Sequence, residues 1–321
     1  MANTYTGTAT ISNQTGLTNL VGASYDKYIE FALRSEPLFR AFADKRPVDV
    51  TSPGSSVVFQ RYTDMSAATT ALTENVDPDA VALSNTTTVS VTLNEYGNAV
   101  LVTDKLTLES LSDVDPAVAE LVAWNMRDSL DQLVRTTLVG GTNVVYSNVG
   151  AVDITGPTNT VSQAAGDIIS SKLIRYTVAK LRGNSAIPYD GGYFTGLIHP
   201  DVSHDLRAET GVANWRDPHV YAENANSSIW AGEIGVYEGV KFIESPRTFN
   251  ATDGTSSSKV HRSMIMGRQA LAEAVAREPG VVIGPITDKL MRHRPIGWRA
   301  LIGWGRYREE ALFRLETTSS I

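Results

Sequence analysis

The stretch that decides the architecture is DPAVAELVAWNMRDSLDQLVRTTL, residues 115–138. Its apolar side chains recur at steps of three and four residues, which places them on one face of an α-helix. Asp115 predicts the N-cap, Pro116 suits the first turn, and Gly140–Gly141 ends the pattern. At 1.5 Å per residue such a helix is a rod about 35 Å long, which suits a structural spine.

Two strand-like runs precede this helix, SSVVFQRY at residues 55–62 and TTTVSVTLNEYGNAVLV at residues 86–102. The first run has a strand-like composition, and in the second run apolar side chains alternate with polar ones, which predicts a β-hairpin. Between them lies Thr63–Asn85, 23 residues with few large apolar groups. Loops beyond about 12–15 residues are usually functional or disordered, and an isolated hairpin is marginally stable in water. This long loop with its two strands therefore needs a surface to lie on, which either its own domain or another chain supplies.

The N-terminal region is poor in large apolar groups. Residues 1–22 are rich in Thr, Asn and Gly and predict an extended arm, which either frays or becomes ordered against a neighbouring subunit. Residues 24–43 show a helical pattern that Pro37 interrupts.

The rest of the chain mixes helices and strands without regular βαβ alternation, which predicts an α+β fold. The expected elements are a helix over 170–182 that Gly183 ends, strands over 193–198, 239–244 and 260–267, a short helix from Pro200, a loop over 249–259 and two strand runs around 303–307.

Composition excludes several classes of function. The 321 residues suggest about two domains, and 42% apolar against 20% charged residues allow a real core. The net charge of −7 argues against a general nucleic-acid binder, which needs a cationic surface. The absence of cysteine removes disulfides, cysteine-ligated metals and thiol nucleophiles. Neither a signal peptide nor a membrane-spanning run is visible, so we expect a soluble protein without membrane contact.

The HPDVSHD stretch is the strongest local candidate for chemistry, with His199, Asp201, His204 and Asp205 close together. The two histidines are five residues apart, whereas zinc ligands on one helix face are typically four apart. We therefore predict that these groups cap the helix starting at Pro200 and assign no metal. The sequence contains no dinucleotide-binding loop, phosphate loop or GxSxG elbow, so we assign no cofactor and no catalytic residue.

The segment Asp288–Arg314 is locally basic, with seven basic residues against three acidic ones. Trp298 and Trp304 are interleaved with the arginines. The segment contacts either a nucleic-acid backbone or another protein, since Arg and Trp are enriched at protein interfaces. The acidity of the remaining chain favours the protein interface.

Four stretches carry a resemblance to a known family. In chain order they are FQRYTDMSAATTALTENVDPD (Phe59–Asp79), LIHPDVSHDLRAETG (Leu197–Gly211), GEIGVYEGVKFIES (Gly232–Ser245) and IGWRALIGWGRYREEALFRLET (Ile296–Thr317). They resemble the major capsid protein of tailed bacteriophages, whose fold is known from the phage Hong Kong ninety-seven and is shared with encapsulins. More narrowly, the chain is similar to the coat-protein family of phage N-four.

The resemblance implies an α+β capsid fold with five parts. These are residues 1–45 as the N-terminal arm with the first helix, 46–104 as the extended loop that lies over an adjacent subunit, 105–141 as the spine helix of the peripheral domain, 142–285 as the axial domain with pieces of the peripheral domain, and 286–321 as C-terminal strands of the peripheral domain.

The resemblance also implies a structural and non-enzymatic function. Copies of the chain would assemble as hexamers and pentamers into an icosahedral shell around double-stranded DNA, in the host bacterial cytoplasm, and remain in the virion. Portal and scaffolding proteins would be partners, with a decoration protein as a further one. Candidate contacts between subunits lie in the extended loop and the basic segment: Phe59, Arg61, Glu74, Asp77, Arg294, Trp298 and Arg306.

Two alternatives stay open at this point. An encapsulin-like compartment would share the fold but hold protein cargo. A soluble hydrolase would use the His199–Asp205 region.

Overall fold

The computed structural model describes most of the chain after residue 33. The described residues are 34–47, 56–62, 64–77, 79–82, 87–110, 114–147, 164–189, 191–209, 233–286, 288, 290 and 292–321. The predicted arm at residues 1–22 lies outside them, as does most of the helix predicted over 24–43.

Four α-helices lie in the described residues, and local capping explains where three of them begin. They are α1 (Asp104–Glu109), α2 (Val114–Val139), α3 (Ser171–Gly183) and α4 (Pro200–Ala208). Thr103 caps α1 and Ser170 caps α3, because each side-chain oxygen accepts a hydrogen bond from a backbone N–H of the first turn. The predicted spine helix is confirmed, although α2 begins at Val114, so Asp115 lies inside it rather than at the N-cap.

The strands of the described residues form two larger sheets and one hairpin. In chain order they are β1 (Asp44–Pro47), β2 (Ser56–Arg61), β3 (Thr87–Thr92), β4 (Asn94–Thr103), β5 (Val144–Tyr146), β6 (Phe194–Ile198), β7 (Glu233–Tyr237), β8 (Val240–Glu244), β9 (Phe249–Ala251), β10 (Val260–Met266), β11 (Leu271–Ile283), β12 (His293–Arg306) and β13 (Leu312–Thr317).

The first sheet has the strand order β1-β11-β12-β4, with β1 parallel to β11 and the other pairs antiparallel. The second sheet has the order β5-β13-β10-β6-β8-β7, and β9 also pairs with β10. The hairpin pairs β2 with β3, with Val57 opposite Val91 and Phe59 opposite Val89. The predicted α+β class and hairpin are both confirmed. Within the described residues, no helix has the length and apolar character needed to cross a membrane.

Helix α2 packs against both large sheets. Its N-terminal part, through Leu130, contributes Val122 and Leu130 to a core with the β12 residues Trp298 and Ile302. Its C-terminal end contributes Val134, Leu138 and Val139 to a second core with β10 and β13. Because its 26 residues span about 39 Å, one helix can hold the two sheets together.

The second sheet is covered on its other face by α3 and α4. Side chains alternate along β10, so Met264 and Met266 face α2 while Ile265 faces the opposite core. That core receives Ile174 from α3 and Leu206 from α4. The molecule is therefore layered as helix, sheet and helices around the second sheet.

Three sequence predictions need correction. In the described part of the helix predicted over 24–43, Phe39–Phe42 forms a single 3-10 turn and Asp44 begins β1. Pro37 lacks an N–H and disfavours a helical residue before it, which explains the break. The loop predicted over 249–259 contains the strand β9 and a 3-10 turn at Thr255–Ser257.

The third correction concerns strand boundaries. The run 86–102 splits at Leu93, with β3 in the hairpin and β4 in the first sheet. The C-terminal runs separate at 307–311 rather than at the glycines, which lie inside β12. The long strand β11 was not predicted, because its alternation is broken by register shifts between Val275 and Gly280.

A buried carboxylate of α2 fixes two neighbouring segments to the spine. Asp131 Oδ1 accepts a hydrogen bond from the Phe39 backbone N–H at 2.7 Å, and Oδ2 accepts from Arg247 Nε at 2.9 Å. Arg247 also pairs with Asp128. Burial works against the charge of Arg247, but its hydrogen bonds to Asp128 and Asp131 outweigh burial and raise its pKa.

The substitution Asp131→Asn tests this anchor. The Arg247 side chain is only 12% exposed, so removing one of its two carboxylate partners leaves a buried charge that Asp128 alone compensates. We expect the free energy of unfolding, measured by urea denaturation of the unassembled subunit, to fall by about 3 kcal/mol. Glu120→Gln, at an exposed position of the same helix, is the control and should change it by less than about 0.5 kcal/mol. Equal effects of the two variants would contradict the anchor.

Candidate subunit-contact site

The hairpin is seated on the first sheet by two glycines of β12. Side chains of β12 alternate, so Gly303 and Gly305 lie on the face opposite α2. A Cβ at Gly303 would lie 2.2 Å from the Thr92 carbonyl oxygen, and one at Gly305 would lie 2.6 Å from a methyl carbon of Val91. Only glycine permits β3 to approach β12 this closely.

An aromatic contact holds the base of the hairpin. The rings of Phe59 and Tyr307 pack edge to face, with centroids 6.1 Å apart. The guanidinium of Arg46 lies 4.6 Å from the Tyr307 ring centroid and 5.2 Å from that of Phe59. The predicted contact residue Phe59 is thus buried within its own subunit, and its role between subunits stays a prediction.

Arg61 continues this attachment at the end of β2. Its Nη1 lies 3.3 Å from Glu310 Oε2, and the hydrogen bond from Arg61 lowers the pKa of Glu310. Both side chains are partly exposed, so the pair contributes less than about 1 kcal/mol.

Beyond Arg61 the chain forms an arm that is exposed throughout its described length. Every described residue of 64–77 and 79–82 is exposed, including the predicted contact residues Glu74 and Asp77. The arm carries large apolar side chains in water, with Leu72 78% exposed and Val76 63% exposed. Such side chains are unusual on a surface that stays free, which makes the arm the strongest contact candidate.

A second exposed apolar surface lies at the far end of the first sheet. Pairing of β1 with β11 stops at Val275, and within the described residues the β11 segment from Arg277 to Ile283 has β12 as its only strand partner. Ile283 lies opposite Ile296 of β12, which lies opposite Val100 of β4. We call this surface the apolar sheet end; its exposed members are Val100, Leu101, Val281, Val282, Ile283 and Ile286.

The remaining predicted contact residues lie in β12. Trp298 is 5% exposed and donates from Nε1 to Asn125 Oδ1 at 2.9 Å. Arg306 donates to Glu309 at 2.7 Å and to the Thr137 carbonyl at 3.0 Å. Burial raises the pKa of Glu309, but hydrogen bonds from Thr142 and Arg306 outweigh it and lower that pKa. Arg294 is half-buried at the start of the strand. Contacts of these residues with another subunit stay predictions.

Part of the basic segment is neutralised inside the subunit. Three of its arginines pair with carboxylates: Arg292 with Asp288 at 2.8 Å, Arg306 with Glu309 at 2.7 Å and Arg314 with Glu316 at 2.9 Å. Interleaving of Trp with Arg follows from strand alternation, because Trp298 and Trp304 both face α2. Some of the positive charge of this segment is therefore compensated within the subunit.

Within the HPDVSHD stretch, His199 caps α4 as predicted, whereas His204 and Asp205 lie inside the helix. His199 precedes Pro200, and its Nδ1 accepts a hydrogen bond from the Asp201 backbone N–H at 3.2 Å. His204 is 58% exposed, and Asp205 accepts a hydrogen bond from the Ser320 N–H at 2.9 Å. The four polar groups therefore do not converge on one point.

His261 of β10 joins the start of α4, which the sequence did not predict. The rings of His199 and His261 lie 4.6 Å apart between centroids, and Asp201 Oδ2 lies 3.3 Å from His199 Nδ1 and 3.5 Å from His261 Nε2. Burial lowers the pKa of His261 to about 4 and also lowers the pKa of His199. Burial opposes ionisation of Asp201, but a hydrogen bond from Lys259 and the charge of His199 outweigh it and lower that pKa. The sequence did not predict this cluster, because His261 is far from His199 along the chain and the pairing of β10 with β6 brings the two together.

The substitution Gly303→Ala tests the seat of the hairpin. Its Cβ would meet the backbone of Thr92, which cannot move aside as a side chain can, so we expect a loss of about 1–3 kcal/mol in thermal unfolding. Limited proteolysis should also cut faster between the hairpin and β4. Gly280→Ala is the matched control, because a Cβ there meets no atom within 4 Å. Wild-type stability and cleavage in Gly303→Ala would show that the seat is not tight.

Comparisons with known proteins agree with this architecture. No curated protein matches the sequence. Among solved structures, the chain is similar to the capsid asymmetric unit of cyanophage Pam1, with TM-score 0.74 and 15% identity over 96% of this chain and 99% of that one. It is also similar to the head of Helicobacter pylori bacteriophage KHP40, with TM-score 0.72 and 14% identity over 98% and 99%. The capsid of Ralstonia phage GP4 gives TM-score 0.71 and 14% identity over 100% and 99%.

These structural similarities show the fold, and a match to a protein family shows which family the chain belongs to. Residues 41–314 match the family described as phage capsid protein, which is most of the chain. The family is structural, so the hydrolase alternative is wrong, and the match favours a phage capsid over an encapsulin-like compartment. The chain belongs to the phage capsid protein family, with the fold of a major capsid protein of the Hong Kong ninety-seven type.

Proposed function

We propose that copies of this capsid protein close as hexamers and pentamers into an icosahedral shell around double-stranded phage DNA. The main observation in support of this proposal is the exposed arm over 64–82. It holds large apolar side chains in water, yet its base is fixed by Phe59, Tyr307 and the glycine seat. An arm of this kind gains order by lying across an adjacent subunit.

The energy of such a contact comes mainly from apolar burial. Each Leu or Val that passes from water into an interface contributes about 1.5–3 kcal/mol before the costs of association. The arm contributes Met65, Leu72, Val76 and Val81, all more than half exposed in the subunit. A single contact of this size is modest, but a closed shell repeats it in every subunit. Multivalency therefore makes the shell far more stable than any one pair.

The apolar sheet end supports a second contact in the same shell. The outer half of β11 combines a strand edge that is unpaired within the described residues with Val281, Val282 and Ile283, and edges of this kind readily pair with or pack on another chain. The arm and the sheet end differ in sequence and shape, so a contact between them is heterologous. Heterologous contacts close into rings where the rotation permits, as hexamers and pentamers require.

The charge of the subunit suits a DNA container that binds without sequence preference. The chain carries −7 overall, and several arginines of its basic segment are paired internally. A mainly acidic wall limits adhesion of packaged DNA. A strongly electropositive inner surface in an assembled shell would contradict this part of the proposal.

Other partners rest on the resemblance to the phage N-four coat-protein family. We propose a portal protein, a separate scaffolding protein and a decoration protein, with assembly in the host bacterial cytoplasm. Copurification of the chain with these proteins from infected cells tests them.

Imaging tests the central proposal. Negative-stain electron microscopy and sedimentation velocity of the purified chain should show hexamers, sheets or shells. Particles isolated from infected cells should contain nuclease-resistant double-stranded DNA. A species that stays monomeric at high concentration, alone and with phage lysate, would overturn it.

The double substitution Leu72→Ser with Val76→Ser tests the arm. Because both side chains are exposed in the subunit, we expect the free energy of unfolding to change by less than about 0.5 kcal/mol. Assembly, followed by light scattering and microscopy, should fall at least about tenfold, since about 1.4 kcal/mol lost per contact is a tenfold change.

A matched control distinguishes the loss of a specific contact from the general effect of placing a polar residue on the surface. Ile321→Ser also replaces an exposed apolar residue, beside the Ser320–Asp205 hydrogen bond at α4. This variant should assemble like the wild type. Normal shells from the Leu72/Val76 variant would remove the arm from the contact.

A further inference from the structure

We propose that His199, Asp201 and His261 form a binding site for one divalent transition-metal ion of the zinc class. The site lies where the start of α4 meets the start of β10. It is independent of the shell contacts, because it stands on the second sheet and uses neither the arm nor the apolar sheet end.

The ligand atoms have the spacing that such an ion requires. One ring nitrogen of each histidine and one Asp201 oxygen all lie within 4.8 Å of one another. Asp201 Oδ2 is 3.3 Å from His199 Nδ1 and 3.5 Å from His261 Nε2. Two tetrahedral ligands at about 2.0–2.1 Å from Zn²⁺ are about 3.3 Å apart. An ion among the three groups would replace the Asp201 backbone N–H as the partner of His199 Nδ1, and small side-chain movements would bring it within reach of Asp201 and His261.

The buried ring of His261 provides an independent reason to expect a ligand. His261 is 1% exposed, and neither of its ring nitrogens has a hydrogen-bond partner among the described residues. Buried polar atoms without partners are uncommon in folded proteins and call for an explanation such as an ion. Its Nε2 already points toward Asp201, and coordination would satisfy that nitrogen.

The chemistry of the donor set selects the class of ion. Two imidazoles and one carboxylate suit zinc and neighbouring transition metals, whereas calcium and magnesium require oxygen ligands. Asp201 is partly exposed, so an ion can enter from solvent, and water would supply the fourth ligand.

Some charged groups around the cluster favour the binding of a cation and one opposes it. Glu244 and Asp205 add negative charge near His199 and His261, which favours a cation. Lys259 Nζ lies 3.1 Å from Asp201 Oδ2 and competes for the same oxygen. Its side chain is 45% exposed, so it can withdraw into water when an ion binds.

Metal titration of the untagged, chelator-washed full chain tests the proposal. Isothermal titration with Zn²⁺ should show one ion bound per chain. Co²⁺ should produce the visible absorption bands of a tetrahedral nitrogen–oxygen site. At 100-fold excess of Zn²⁺ over its Kd, Tm should rise by about 4 °C. Absence of both stoichiometric binding and the Co²⁺ bands would overturn the site.

Variants identify the ligands and the competitor. Asp201→Asn and His199→Ala should each weaken Zn²⁺ binding at least about tenfold, whereas Lys259→Met should bind as tightly as the wild type or more tightly. His204→Ala is the matched control, because this exposed histidine of α4 lies outside the cluster, and it should bind normally.

Two results would contradict the assignment. Binding that is unchanged in Asp201→Asn would place the ion elsewhere. Binding that is lost in Lys259→Met would show that the ammonium group supports the site rather than competing for it. Because Lys259→Met removes no ligand and Asp201→Asn replaces a half-buried side chain, each variant can be checked for wild-type circular dichroism before titration.

Discussion

The packing of one helix against two sheets is the constraint on which the rest of this structure depends. The N-terminal part of α2, through Leu130, covers the sheet that carries the hairpin, and its C-terminal end covers the sheet that carries α3 and α4. Asp131 lies between these two parts and adds hydrogen bonds to Phe39 and Arg247, so the chain before β1 and the turn after β8 are fixed to the same helix. Apolar burial along about 39 Å makes the two sheets parts of one rigid unit.

That rigidity gives the hairpin a role that a two-stranded ribbon does not have alone. Such a ribbon is marginal in water, and here one face of it is buried against Gly303, Gly305 and Tyr307. The arm beyond it has no such support within its own described residues and exposes apolar side chains. A rigid base with an exposed arm is what a capsid subunit needs, because the same sequence has to meet neighbours in hexamers and pentamers.

Charge is distributed so that it stabilises the subunit without making the surface cationic. Glu273 and Glu316 are fully buried, and each is compensated by arginine, Glu273 by Arg40 at 2.7 Å and Glu316 by Arg314 at 2.9 Å. Buried pairs of this kind cost desolvation, and they favour a single arrangement of the strands more than they add stability. The cluster of His199, Asp201 and His261 differs, because neither ring nitrogen of His261 has a hydrogen-bond partner among the described residues. It stands apart from the charge pairs that hold the fold together.

Local chemistry was readable from the sequence by itself. The spine helix, the pairing of Ser56–Arg61 with Thr87–Thr92, the cap at His199 and the unusual length of the 63–85 loop all follow from periodicity, capping and loop length over fewer than about forty residues. The family resemblance added the capsid assignment. Tertiary structure alone decided the partners of each strand: the split of 86–102 between two sheets, the burial of Trp298 against α2, the glycine seat of the hairpin and the approach of His261 to His199. The physical reason is the same in each case. Periodicity shows which side chains share a face of a helix or strand. Long-range packing decides which other element covers that face, and a local sequence pattern holds no information about it.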